Sequence, residues 1–317
     1  MKISEITKLG LWPESKKTTT QKGISELEEL GYNLFYIGKN ADLYTCPGEE
    51  AKVLLVRSDR CSVFDIPLNL LIEGKGVSQT TISNNGAEFA KKAGIRTAIL
   101  SETVDSSLAI APRCQLMELC KPLEAVVDGD LVQFELIFRN YLTGSLFDAC
   151  QNGLDPYGLD LPNGLAQWHK FETPIFTPTT KGIKDEPLNS QKVRELFPEI
   201  VSNLEKLFKD FTKFAEDRGI IVVDTKFEIF VDSKGQWVLG DEVLTPESSR
   251  FISKEDFDAQ NYISMDKQIL RDFGKSQNWK EQAKNLKAGE KLEVNVPSEI
   301  KDKILSGYTT ILNRLSK

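Results

Sequence analysis

The sequence predicts a two-lobed α/β (α+β) protein, and three observations predict it. At 317 residues, 40% hydrophobic and 27% charged, the chain is long enough for two lobes with separate cores, in ordinary globular proportions. Near the start, Tyr32 to Ile37, Ala41 to Cys46 and Lys52 to Ser58 are short β-rich runs separated by Gly38, Pro47 and Gly48, the pattern of an antiparallel meander. Further on, a long helical run leads directly into a strand–turn–strand between Gln191 and Leu244.

Taken in order, residues 1 to about 30 are polar, with a run from Lys16 to Thr20, and are expected to form a peripheral extension. After the meander, Ser78 to Gly94 reads as a helix stopped by Gly94. Ile95 to Leu100 and Cys114 to Leu119 read as strands. Lys121-Pro122 marks the crossing into the second lobe, so the expected division is 1–120, a β-rich lobe, and 121–317, a larger α/β lobe. Val132 to Phe138 is a strand, and Gln151 to Gly164 has loop composition. Gln191 to Arg218 is expected to be one helix, capped by Ser190 and ended by Gly219, because Val193, Leu196, Phe197, Ile200, Leu204, Leu207, Phe208 and Phe211 fall at helical spacing. Ile220 to Phe230 and Gln236 to Leu244 are strands joined by the turn Asp232-Ser233-Lys234-Gly235, and a helix from Pro297 to Leu315 closes the chain.

Composition excludes several classes. A net charge of -7 argues against nucleic acid or an anionic membrane as partner, and no stretch approaches the roughly 20 apolar residues of a membrane span. Met1 to Thr20 lacks the apolar core of a secretory signal, so a cytoplasmic protein is expected. The five cysteines, odd in number and without a CxxC pair, indicate neither a disulfide framework nor a zinc site. His169 is the only histidine, which rules out a site built on several.

Chemistry concentrates in the hairpin. With a turn centred on Ser233-Lys234, Lys226 lies opposite Asp241 and Glu228 is diagonal to it, so Asp224, Lys226, Glu228 and Asp241 share one face at a period of two. Carboxylates flanking a lysine suit a magnesium–polyphosphate site, since hard oxygen ligands hold the ion and an ammonium neutralises phosphate. The same alternation also describes the solvent-facing side of an ordinary hairpin. From the residues alone both readings stand.

Five motifs in order carry a resemblance that bears on this choice. They are Arg139-Asn140-Tyr141-Leu142-Thr143-Gly144-Ser145, the run from Pro174 to Lys181, Val222-Val223-Asp224-Thr225-Lys226-Phe227-Glu228, the run from Asp241 to Phe251, and that from Ser264 to Asp272. Together they resemble the SAICAR synthetases over about Gly38 to Asp272. Gly38, Lys39, Asp42 and Tyr44 are similar to the family's ATP loop, with Ala41 where a base is usual. Ser58 to Asp65 and Gly74-Lys75-Gly76 are similar to its next two elements. Other departures are Asn140 for a common glycine, Phe230 for another, and a short Lys181 to Pro187 stretch in which Lys184 precedes Asp185-Glu186 and the family's histidine is absent.

The resemblance implies a SAICAR synthetase-like fold related to ATP-grasp, with ATP between the N-terminal meander and the C-terminal lobe. It implies an ATP-dependent ligase joining L-aspartate to CAIR (carboxyaminoimidazole ribonucleotide), with ATP and Mg2+ as cofactors, as a monomer or small homo-oligomer. Gly38, Lys39, Lys75 and Lys181 would meet ATP, and Glu228 and Asp241 the magnesium. Arg60, Ser62, Arg139, Ser145, Asp224, Arg250, Lys267 and Arg271 would hold the nucleotide substrate. Lys226, Lys181 and Asp224 would be catalytic. Lys267 and Arg271, at i and i+4, share a helix face suited to a phosphate. A ligase or kinase with another acceptor, and a non-catalytic nucleotide-binding homologue, are the alternatives.

Overall fold

The computed structural model describes residues 21–182, 185–287 and 290–316, so the Lys16 to Thr20 run and Lys184 lie outside the described residues. The chain forms two compact units. One holds the described residues up to Asn85, Ala98–Cys120 and those from Ser264 onward; the other holds Gly86–Thr97 and Lys121–Ile263. The units meet the linear division 1–120 and 121–317 at Cys120/Lys121 and depart from it at residues 86–97 and in the C-terminal segment.

In the first unit, helix α1 (Gln21–Glu29) precedes strands β1 (Asn33–Ile37), β2 (Ala41–Cys46), β3 (Glu49–Arg57), β4 (Arg60–Val63) and β5 (Ile66–Leu71). Helix α2 (Lys75–Lys92) then carries the chain across the boundary between the two units, and β6 (Cys114–Glu118) returns to the first. The meander is present as an antiparallel sheet of order β1-β2-β3-β6, with β4 and β5 as a separate pair. The expectation of a peripheral extension fails for its described part. Leu27 of α1 is fully buried against Tyr44, Leu54, Val56 and Ile110, so α1 covers the sheet's apolar face.

The second unit contains β7 (Lys121–Pro122), β8 (Glu124–Val127), β9 (Asp130–Tyr141), α3 (Gly144–Gln151), β10 (Lys170–Phe176), β11 (Thr179–Lys181), α4 (Ser190–Leu196), α5 (Pro198–Glu216), β12 (Ile220–Val231), β13 (Trp237–Gly240), β14 (Ser249–Ser253) and α6 (Lys254–Asp258). Its eight strands form an antiparallel sheet built on β9 and β12, which pair along Asp224↔Arg139 to Glu228↔Glu135. Helix α5 lays Ile200, Leu204, Leu207, Phe208 and Phe211 on this sheet, with the Phe208 ring 6.1 Å from that of Phe138.

Three local expectations need correction. The run from Gln191 to Arg218 is two helices: Phe197 leaves helical geometry and Pro198 starts α5, because proline has no N–H to donate to the preceding turn. Asn189, not Ser190, caps α4, its Oδ1 accepting Lys192 N–H at 3.0 Å. Residues 95–100 make isolated bridges, Thr97↔Leu239 and Ile99↔Met117, in place of a strand.

After β14 the chain rejoins the first unit through α7 (Gln268–Ser276), α8 (Trp279–Gln282) and α9 (Ser298–Leu315). Leu270, Trp279, Leu292, Ile304 and Tyr308 pack there with Cys61, Leu68, Leu70 and Ile72 in one buried cluster. That apolar cluster is why the tail groups with the first unit. All five cysteines are free, and among the described residues no helix is long and apolar enough to cross a membrane.

Candidate functional site

The charged ladder of the second unit follows from strand alternation. On β12 the residues Asp224, Lys226 and Glu228 point to one side, as do Arg139, Ile137 and Glu135, their rung partners on β9. Strand β11 sets Thr179 opposite Glu135, so Lys181 two residues on shares that side.

At one end of the ladder, Asp224 sits between two guanidiniums, since it pairs with Arg139 on β9 and with Arg250 on β14. Arg139 Nη1 donates to Asp224 Oδ2 at 2.8 Å and its Nε to Thr177 Oγ1 at 2.8 Å. Arg250 Nε donates to both Asp224 oxygens, at 3.0 and 3.1 Å. Burial lowers the Arg139 pKa, and the Asp224 carboxylate opposes that. Gly144, the first residue of α3, has φ +61°, and a Cβ there would lie 2.9 Å from Arg250 Nη1, so the bare glycine lets the helix start against this guanidinium. Ser145, next along, is exposed.

At the other end, Lys226 Nζ donates to Glu135 Oε1 at 2.6 Å and to Glu228 Oε1 at 2.8 Å, while Lys181 Nζ donates to Glu228 Oε2. Burial pushes the Glu228 carboxyl up, but the Lys226 and Lys181 ammoniums outweigh it and hold it down at about 2. Burial keeps Glu135 above the usual carboxylate range despite Lys226. Both lysines lie above the usual lysine range, because Glu228 and Asp241, joined at Lys226 by Glu135, override burial.

The hairpin register differs by one from the expected one. Glu228 pairs with Gly240 and Val231 with Trp237, so Lys226 is not opposite Asp241. The second strand also ends at Gly240, short of Leu244, and Asp241 has φ +55°. The carboxylate reaches the field of both lysines by this left-handed turn of the backbone, not by pleat alternation. Gly86 of α2 supports the turn: a Cβ there would meet Val243 O at 2.2 Å, so only glycine admits the approach. Phe230 is accommodated likewise, its ring lying where a Cβ on Gly240 would be.

Glu135 was missed by sequence reasoning, as was Thr177. The signal for Glu135 existed, since it lies two alternations before Arg139 on the same strand. Among the described residues no group of three or more His, Cys, Asp or Glu side chains could hold a metal by itself. Glu228 and Asp241 offer two hard oxygen ligands, and magnesium bound to ATP takes its remaining ligands from phosphate and water. The residues therefore fit a phosphate-bound magnesium and not a protein-only cage.

The other expected residues belong to the first unit. Gly38 closes a tight turn, its N–H donating to Ala41 O at 2.8 Å, and Lys39 pairs with Asp65 at the surface. Arg60 is buried, with Nη1 3.2 Å from Asp42 Oδ2 and Nη2 2.9 Å from Gly38 O. Lys75 Nζ donates to Arg60 O at 3.1 Å, and Ser62 is buried on β4. Lys267 stands at the N-terminus of α7, one turn before Arg271, and both are half-buried.

Residues 34–286 match the SAICAR synthetase family. The chain belongs to the SAICAR synthetase family. A phosphoribosylaminoimidazole-succinocarboxamide synthase of Actinobacillus succinogenes is 35% identical over 301 residues, 92% of this chain and 100% of the relative. That of Desulfotalea psychrophila is 33% identical over 264 residues, 78% of this chain and 85% of the relative. The SAICAR synthase of Saccharomyces cerevisiae, solved with SAICAR, superposes with a TM-score of 0.71 at 27% identity, covering 95% of this chain and 98% of that one. The SAICAR synthetase motifs thus occur on the SAICAR synthetase fold.

Proposed function

We propose that this protein is an active SAICAR synthetase, joining L-aspartate to CAIR with ATP, and that the Asp224–Glu228 ladder and Asp241 form its reaction-side surface. The observation that supports this most is the pairing of two guanidiniums at Asp224 with two ammoniums at Glu228 on one strand face. Such a surface can hold two kinds of anion: a carboxylate or phosphate at the guanidinium end, and a polyphosphate at the ammonium end.

A carboxylate is a poor electrophile because its leaving group would be oxide. An oxygen of the CAIR carboxylate attacks the γ-phosphorus of ATP and ADP leaves, giving an acyl phosphate. The aspartate amine then attacks the acyl carbon, phosphate departs with the C–O bonding pair, and the nitrogen loses a proton. Arg139, Arg250 and the exposed Ser145 at the start of α3 orient the CAIR anion. Lys181 and Lys226 neutralise charge that builds on the transferred phosphoryl group. Glu228 and Asp241 would hold Mg2+, which screens the phosphates while bound. In the first unit Gly38, Lys39, Lys75, Arg60, Ser62, Lys267 and Arg271 are read as ATP and nucleotide contacts, as the family motifs imply.

The deciding assay offers ATP, CAIR and a panel of aspartate, asparagine, glutamate and alanine, and weighs the product. Aspartate should be used with steep discrimination against asparagine, because a site built for a carboxylate leaves cations unpaired when an amide arrives. Preferred use of another amino acid would establish the alternative acceptor, and no product with any would establish the non-catalytic reading.

A further inference from the structure

The guanidinium end of the ladder rests on a buried hydroxyl to which the proposed reaction gives no role. Thr177 lies between β10 and β11, where the chain passes from the Phe176↔Phe138 rung to the Thr179↔Glu135 rung. Its N–H donates to Ile137 O at 2.8 Å, and Ile137 is on the Arg139 side of β9, so the pleat turns the Thr177 side chain to that side too. There the fully buried Thr177 accepts Arg139 Nε–H on Oγ1 at 2.8 Å. The carbonyls to either side are held by the segment that enters α4. Phe176 O accepts Ser190 Oγ–H at 2.6 Å, and Pro178 O accepts Leu188 N–H at 2.9 Å. The hydroxyl therefore sits on fixed backbone and does not follow the arginine.

From Thr177 a hydrogen-bonded series runs outward. Arg139 gives Nε to Thr177 and Nη1 to Asp224, and Arg250 closes on Asp224 from β14. Exposure rises along the series: Thr177 is 0% exposed, Arg139 5% and Asp224 6%, while Arg250 is half-buried and lies against Gly144. One carboxylate between two guanidiniums leaves the series net positive. A planar guanidinium held by one bond can swing about it, whereas a second bond on another nitrogen fixes the plane. Fork recognition of a carboxylate or phosphate needs that plane set.

We infer that Thr177 is a positioning residue of this protein. Its hydroxyl sets the plane of Arg139 and, through Asp224, the aim of Arg250 at an anionic oxygen group, carboxylate or phosphate, of the nucleotide substrate. This role rests on the proposed reaction for CAIR as the ligand.

Thr177→Val keeps the shape and removes the oxygen, whereas Thr177→Ser keeps the oxygen and removes a methyl. Both would be compared with the parent protein for KM and kcat toward CAIR and ATP, by calorimetric titration with each nucleotide, and for unliganded melting temperature. Loss of a hydrogen bond to a charged group should raise Kd and KM for CAIR about tenfold in Thr177→Val, with the ATP constants within about twofold. Thr177→Ser should recover most of the affinity. In an Arg139→Lys background no Nε–H remains to be held, so Thr177→Val should add less than about a twofold change. Should Thr177→Val fail to fold, Thr177→Ala carries the same expectations. An unchanged CAIR Kd, whatever the melting temperature, overturns the inference and leaves the proposed reaction intact. So does an undiminished effect in the Arg139→Lys background, or an equal loss in Thr177→Ser. A parent protein that binds CAIR but forms no product defeats the proposed reaction, and the titrations still decide the role of Thr177. A parent protein that does not bind CAIR overturns both.

Discussion

Arg139 and Asp224 occupy one rung of neighbouring antiparallel strands and are joined by a 2.8 Å ion pair in which both side chains are buried. A second guanidinium, Arg250, closes on the same carboxylate from β14. Removing one member of a buried ion network is far more costly than the network's net worth, because it strands charge in a poor solvent. Asp224→Asn should therefore lower unfolding free energy by about 3–5 kcal/mol, read by urea titration. A loss under about 1 kcal/mol would show that solvent, not Asp224, balances the two arginines.

Glu228 and Glu135 should titrate in opposite senses. The folded Glu228 pKa, about 2, lies below its ordinary 4.5, so its stabilisation is complete above 4.5 and is lost as pH falls toward 2. Glu135 is raised, so its contribution favours the fold below its ordinary pKa and is lost as pH rises through the folded value. At pH 7, Glu228→Gln should cost on the order of 3 kcal/mol, and the deficit should shrink between about pH 5 and 3. Glu135→Gln should cost less at neutral pH and show no such narrowing. Equal, pH-independent losses for the two variants would refute this assignment of charge.

Asp241→Asn should preserve the fold, because asparagine tolerates the left-handed backbone that Asp241 adopts. Turnover at limiting magnesium should nevertheless fall by an order of magnitude or more, since one anionic ligand is lost. Near-normal turnover under those conditions removes Asp241 from the metal site.

Gly144→Ala tests the contact between α3 and Arg250. The left-handed φ costs alanine roughly 1–2 kcal/mol. The new methyl would also meet the guanidinium, 2.9 Å away before any relaxation. KM for CAIR should rise several-fold while KM for ATP is unchanged. A selective rise in the ATP constant instead would mean that the two anion-binding ends are reversed.

The sequence by itself determined the meander, the helical spacing of Ile200 to Phe211 that α5 (Pro198–Glu216) carries, the α/β class and the chemical face of β12, because a period of two or 3.6 is a local property of the chain. Family membership was legible as well, in five ordered motifs. The break at Phe197-Pro198 is also local, but the apolar spacing runs straight through it. Tertiary structure alone decided the rest. It set the hairpin one residue away from the register that a symmetric turn implies, and it placed Asp241 by a left-handed turn that Gly86 accommodates across the unit. It brought Glu135 to Glu228 over 93 residues of chain and returned Leu292 to β5. Strand register, backbone handedness at one residue and long-range pairing depend on what the rest of the chain packs against, and no local pattern encodes them.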